Sequence, residues 1–268
     1  MYRFLLRPKW LGFLAACVAL AIIFVELGFW QLRRLDQRRA MNARVVAGRI
    51  ADPVPPSSLF GPGRPPVLAS EYRSVRVTGT YDSAHEYLVR GQTTDDGVGV
   101  NVLTPLVTAS GDRVLIARGW ARYSDQGATV APSVPAPPTG PVTVVGRVRL
   151  PDFGGAMARV GRFQTVTQVD PSLIGRDLGQ PVFGGYVELV KQTPSVTGGL
   201  VLIPEPELTE GPHLAYAVQW FLFAGMLFVG YGMYARREVT GEPGDNPVPA
   251  TEDNAEPARA GSITPAED

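Results

Sequence analysis

Two apolar runs bracket this chain, and they limit what it can fold into more than any other feature. The first, Trp10 to Trp30 (WLGFLAACVALAIIFVELGFW), holds roughly the 20 apolar residues needed to cross a hydrocarbon core. A secretory signal would have a shorter apolar core and a small-residue cleavage site. Here the run leads instead into Glu26, Trp30, Gln31, Arg33 and Arg34, which predicts an uncleaved anchor. The second run, Leu214 to Tyr234 (LAYAVQWFLFAGMLFVGYGMY), stops at Arg236 and Arg237 and carries aromatic residues near both ends, as interfacial belts require. Two spans place both termini on one side of a membrane.

The positive-inside count does not choose that side. Arg3, Arg7, Lys9, Arg236 and Arg237 flank the termini, while Arg33, Arg34, Arg38, Arg39 and Arg44 follow the first span. Long intervening domains translocate largely regardless of charge, so termini in the cytoplasm are the expectation. The expected order is a cytoplasmic N-terminus (1–9), a first span (10–30), a juxtamembrane helix (31–50) and a proline-rich linker (51–69). An extracytoplasmic β-rich domain (70–205), a second span (213–235) and a disordered acidic cytoplasmic tail (236–268) complete it. The tail has almost no large apolar residues, so it cannot bury a core.

Between the spans the pattern changes from helical to period two. After Trp30 the chain lacks Gly and Pro until Gly48, with Leu32, Leu35 and Arg39 near helical spacing, so the first helix is expected to continue beyond the membrane. Asp52 to Pro66 (DPVPPSSLFGPGRPP) is too rich in Pro and Gly for regular structure. From Glu71 on, YRSVRVTGTY, EYLVRG, VGVNVLTPLV, RVLIARGW, VTVVGRVRL and GGYVELVKQ are short, rich in Val and Tyr, and bounded by turn formers. Ser110-Gly111-Asp112 predicts a tight hairpin between two of them. PSLIGRDLG reads as one short helix, capped by Asp170 with Pro171 at its first position. The expected fold is a membrane protein of α+β class: two transmembrane helices flanking one mainly antiparallel β domain, a barrel or a sandwich.

Residues that could carry catalysis are few. The formal net charge is zero, which gives no support for a nucleic-acid partner drawn in by a basic surface. The single cysteine, Cys17, lies inside an apolar run, so no disulfide framework, redox pair or thiolate cluster is available. The two histidines are His85 and His213, and no zinc, P-loop, dinucleotide or GxSxG pattern is present. An enzyme is not expected. His85 follows Asp82-Ser83-Ala84 in a predicted turn and reads as solvated.

His213 stands at the mouth of the second span after Gly211-Pro212, followed by Tyr216 and Trp220 at helical spacings of three and four. A neutral imidazole there could ligate haem iron while the rings cover the macrocycle; an interfacial belt with a polar cap explains the same residues. Glu26 and Gln219 are polar within the spans. At about 1.5 Å per residue they lie about 6 Å inside Trp30 and about 9 Å inside His213, so an intramembrane pair hydrogen-bonded across an antiparallel hairpin is expected.

Four segments together resemble the surfeit-locus family (Surfeit locus protein 1) of cytochrome c oxidase assembly factors. They are LGFWQLRR, with Trp30 and Gln31; EYRSVRVTGTYD; GVGVNVLTPLV followed by RVLIARGW, ending in Arg118-Gly119-Trp120; and HLAYAVQWF. Departures from the family pattern are Pro212 where Asn is usual before the histidine, and Ala117 and Ala121-Arg122 around Arg-Gly-Trp. The resemblance implies a factor that builds the haem-copper centre of subunit one of an aa3-type oxidase in a bacterial plasma membrane. It implies transient haem a binding with His213 as iron ligand and Tyr216 and Trp220 beside it. The implied partners are oxidase subunit one, other oxidase subunits or assembly factors, and the lipid bilayer. For Arg118, Gly119 and Trp120 two roles stay open: a folding motif, or an arginine that pairs with a carboxylate or a haem propionate.

Overall fold

The computed structural model describes residues 3–196 and 199–240. The chain divides into two units, one made of the first 30 residues and the chain from Ala215 on, the other running from Gln31 to Leu214. Most of the expected acidic tail lies outside the described residues.

The helical unit pairs two helices that are long and apolar enough to cross a membrane. Helix α1 runs without interruption over Pro8–Ile50, so its second half belongs to the other unit. Small residues fill the contact between the helices: Cys17, Ala21 and Gly28 on the first, Ala217 and Ala224 on the second, all buried. Close approach through small side chains is how membrane helices gain packing without a hydrophobic driving force. Aromatic contacts fix an antiparallel register. Trp10 stacks on Tyr234 at 5.2 Å, Phe24 meets Trp220 at 5.5 Å, and Phe29 meets Phe221 at 5.5 Å.

The helix ending in this unit, His213–Thr240, runs beyond Arg236 and Arg237, where the sequence had ended the span. Arg, Glu and Val tolerate helix, and no Gly or Pro intervenes before residue 241. The expected hydrogen bond between Glu26 and Gln219 is not made, and both side chains are exposed. Glu26 sits two residues from both Phe24 and Gly28, which places it on the opposite side of its helix from that contact stripe.

The second unit is built around an eight-stranded sheet in the order β1-β5-β8-β4-β3-β2-β7-β6. The strands are β1 (Ser74–Tyr81), β2 (Tyr87–Thr94), β3 (Gly97–Thr108), β4 (Arg113–Arg122), β5 (Pro141–Arg149), β6 (Met157–Val160), β7 (Phe163–Val166) and β8 (Val182–Thr193). An additional β1–β3 pairing closes β1-β5-β8-β4-β3 into a barrel. The long β3 makes this possible: its Gly97–Leu103 half pairs with β2, and Leu106–Thr108 with β1. A barrel is therefore the alternative realised. Two neighbouring pairs of the eight-stranded sheet, β2–β7 and β4–β8, are parallel, and the rest are antiparallel.

Period-two sequence sorts residues onto two buried layers. Val75, Val77, Val114, Ile116, Val142, Val144, Val148 and Val187 fill one core, while Leu103, Leu115, Ala117 and Val182 join Val166, Val169 and Ile174 in another. β4 is consequently buried on both faces. Helix α2 (Pro171–Leu178) covers the second core through Ile174, with Asp170 accepting from the backbone N–H of Ser172 and Leu173 and Gly179 left-handed at its end. The hairpin at Ser110-Gly111-Asp112 forms as expected.

Two features were not legible in the chain. β6 and β7 form a short hairpin that extends the sheet. The proline-rich 51–69 segment is more than a linker: Phe60 is fully buried in the first core, in edge contact with Phe183 at 5.4 Å. Its prolines bend the chain so that one aromatic ring can enter.

Candidate functional site

The segment that leads into the second long helix lies along one face of α1. His213 Nδ1 and Gln31 Oε1 are 2.8 Å apart. Arg39 grips Glu210 through two hydrogen bonds of 2.9 Å, and Asn42 Nδ2 reaches the Thr209 carbonyl at 3.4 Å. Arg49 pairs with Glu205. Gln31, Arg39, Asn42 and Arg49 recur at helical intervals, and their partners run 213, 210, 209, 205 in the opposite direction. Leu35, on the same stripe, is buried. The register of this clamp fixes where the helix α3 (His213–Thr240) begins.

Farther along, the clamp merges with ion pairs of the barrel. Arg147 bonds the Ile203 carbonyl at 3.0 Å and lies 3.3 Å from both Glu188 and Glu205. Arg149 bridges Glu188 and Glu71, and Arg44 of α1 approaches Glu71 at 3.8 Å. Burial pushes the Glu188 carboxyl up from its ordinary value, with Arg149 and Arg147 opposing it.

The imidazole of His213 is half-buried. Nδ1 faces Gln31, while Nε2 makes no hydrogen bond among the described residues. Gly211 is left-handed at φ +68°, and a Cβ there would stand 3.5 Å from His213 Nε2. The other histidine, His85, is tied within its turn to Asp82 at 2.9 Å. Among the described residues, no group of three His, Cys, Asp or Glu side chains could hold a metal ion. Haem iron would need a single imidazole from the protein, and His213, with no hydrogen bond at Nε2 among the described residues, could supply it.

Tyr216 is exposed, and Trp220 is half-buried within the helical unit, with its ring on Phe24 and Phe223. Trp30 is 48% exposed. The Arg-Gly-Trp motif sits in β4, and each of its residues has a structural partner. Arg118 Nη1 donates to Glu86 Oε1 at 2.7 Å and Nη2 to the Pro135 carbonyl at 3.0 Å, with the guanidinium 5.6 Å from the Tyr81 ring centre. Burial draws the Arg118 pKa below the usual arginine value, and Glu86 opposes this. Trp120 Nε1 donates to the Gln92 carbonyl at 3.0 Å. Gly119, at φ +152°, has the Val201 carbonyl 2.7 Å from where a Cβ would stand. Its neighbour Trp120 exchanges two backbone hydrogen bonds with Val201. This glycine lets the 199–203 segment lie against β4 on its way to the clamp.

Sequence reasoning found Gln31 only as part of a motif and Arg39 only by its charge and helical spacing, and it missed Asn42, Arg49, Glu205 and Glu210. The signal that could have found them is the polar stripe along α1 beyond Trp30, which reads equally as a solvated face.

These features define a class: a closed β-barrel domain inserted between two apolar helices, with its exit segment clamped to the first helix and a single histidine at the base of the second. The chain belongs to the SURF1 family, whose model matches residues 18–225. SURF1-like proteins of Mycobacterium bovis and of Mycobacterium tuberculosis are each 30% identical to it over 252 residues, covering 90% of this chain and 91% of theirs. The cytochrome oxidase assembly protein SHY1 of Saccharomyces cerevisiae is 32% identical over 103 residues, 38% of this chain and 26% of that protein.

Proposed function

We propose that this protein assists the assembly of an aa3-type cytochrome c oxidase and presents haem a to subunit one through His213 as a transient axial ligand. Family membership and the likeness to the yeast oxidase assembly protein support the first part. The observation that carries the second is that Gln31 holds Nδ1 of His213 while Nε2 makes no hydrogen bond among the described residues. Haem, as cargo, supplies the redox centre of the finished enzyme. The chain's residues bind and orient it without turnover, so the protein is no enzyme. The two apolar helices anchor it in the bacterial plasma membrane with both ends in the cytoplasm and the barrel on the far side.

Detergent-purified protein co-expressed with haem a synthesis tests this. A Soret band in the wild type and none in His213→Ala is expected. A reporter fused at the C-terminus should be active only in the cytoplasm; activity outside overturns the orientation.

One observation favours a second reading. Trp220 packs on Phe24 and Phe223 rather than standing free to cover a macrocycle. A scaffold whose helices pack beside oxidase subunits and stabilise an assembly intermediate would need no cofactor. Co-purification with oxidase and no Soret band in either protein supports that role.

A further inference from the structure

We infer that Gln31 and Gly211 act as positioning residues that prepare His213 as an Nε2 ligand: Gln31 holds the imidazole proton on Nδ1, and Gly211 keeps the Nε2 edge open. The inference rests on the reading of His213 as a haem ligand.

A neutral imidazole carries one proton, and the nitrogen without it has the lone pair that a metal needs. Gln31 Oε1 is an acceptor only, and it lies 2.8 Å from Nδ1. With Oε1 as its partner, Nδ1 is the nitrogen that carries the hydrogen, and the lone pair falls on Nε2. A free histidine side chain favours the proton on Nε2, so the hydrogen bond supplies a selection the side chain would not make alone. Outer partners of ligating histidines do the same in metal sites, orienting the ring and fixing the tautomer.

The acceptor is also held rigidly. Gln31 lies within the continuous helix α1, one turn before the buried Leu35. On the histidine side, Gly211 N–H donates to Thr209 Oγ1 at 3.1 Å, and Thr209 and Glu210 are bonded to Asn42 and Arg39 of that same helix. Both partners are therefore referenced to one helix, which suits a site needing fixed geometry. Gly211 then serves twice. Its left-handed backbone turns the chain into Pro212 and His213, and a Cβ there would stand against the Cδ2–Nε2 edge of the ring at 3.4 and 3.5 Å, a contact the glycine omits.

The test uses the full chain in detergent, labelled with 15N-histidine. The two rings give two sets of signals, and His85→Gln assigns them. Above the imidazole titration, wild-type His213 should show the proton on Nδ1 and a lone pair on Nε2. Gln31→Leu should shift the proton toward Nε2 and weaken binding of added haemin, followed by its Soret band, by about 10–100-fold. Gln31→Glu, which keeps an acceptor, should restore the tautomer and binding. Gly211→Asn keeps a residue that tolerates the left-handed region; it should leave the tautomer unchanged and weaken haemin binding. Circular dichroism melting at the wild-type temperature separates these effects from misfolding. A wild-type proton on Nε2, or Gln31→Leu binding haemin as tightly as wild type, overturns the inference. Haemin binding untouched by His213→Ala overturns instead the reading on which it rests, and the tautomer measurement still stands by itself.

Discussion

Arg118 and Glu86 form an ion pair 2.7 Å long whose side chains are 5% and 3% exposed, deep in the β domain. Glu86 also accepts from Thr104 and approaches Arg162, so the carboxylate is the hub of a small buried network. Removing one member leaves the other charge buried without its shortest ion pair. Arg118→Ala or Glu86→Ala alone should cost about 3–5 kcal/mol, and Arg118→Met with Glu86→Leu should recover most of it. Denaturant unfolding of the purified chain reads the difference. If oxidase assembly returns with the apolar pair, the motif serves folding; if stability returns without assembly, Arg118 has a further role.

Gly119 is a backbone requirement of the same motif. Gly119→Ala should lose about 1–3 kcal/mol, because a side chain there meets both a disfavoured φ and the Val201 carbonyl. Limited proteolysis should cut near 199–203 faster than in the wild type. An unchanged cleavage pattern would mean that the Trp120–Val201 bridge does not hold this segment.

Phe60 tests whether the proline-rich segment belongs to the core. Phe60→Ala should cost about 3–5 kcal/mol by emptying the space against Phe183. A surface linker would show a change within about 0.5 kcal/mol in a melting experiment.

Asp170 carries a pH dependence with a defined sign. Burial pushes its carboxyl up, but the Ser172 hydroxyl and the N–H groups of Leu173, Gly154 and Ser172 outweigh this and hold it below the ordinary 3.8. A depressed folded value means stability that is present above the unfolded pKa and lost as pH falls through the folded one. Asp170→Ala should therefore cost about 1 kcal/mol at neutral pH. The gap to wild type should close below pH 3.8, where the carboxyl is increasingly protonated. Melting curves from pH 7 downward measure it; a gap that does not depend on pH would assign the loss to packing.

The chain by itself determined the features that depend on neighbours in sequence. Long apolar runs make helices suited to a membrane, period-two Val and Tyr make strands, Ser110-Gly111-Asp112 makes a hairpin, and Asp170-Pro171 starts a helix. Each is set by local backbone preference and by which face of an element can be buried. Tertiary structure decided what depends on distance. Closure through β1–β3, the entry of Phe60 into the core and the partners of Arg118 arise from contacts whose spacing carries no local signal. Glu26 and Gln219 show the limit of depth alone: similar depth brought no contact, because the angular position of each residue about its helix decides what it meets. The site divides in the same way. His213 stands out as one of two histidines, but its pairing with Gln31 spans 182 positions and exists only because the exit segment runs back along α1.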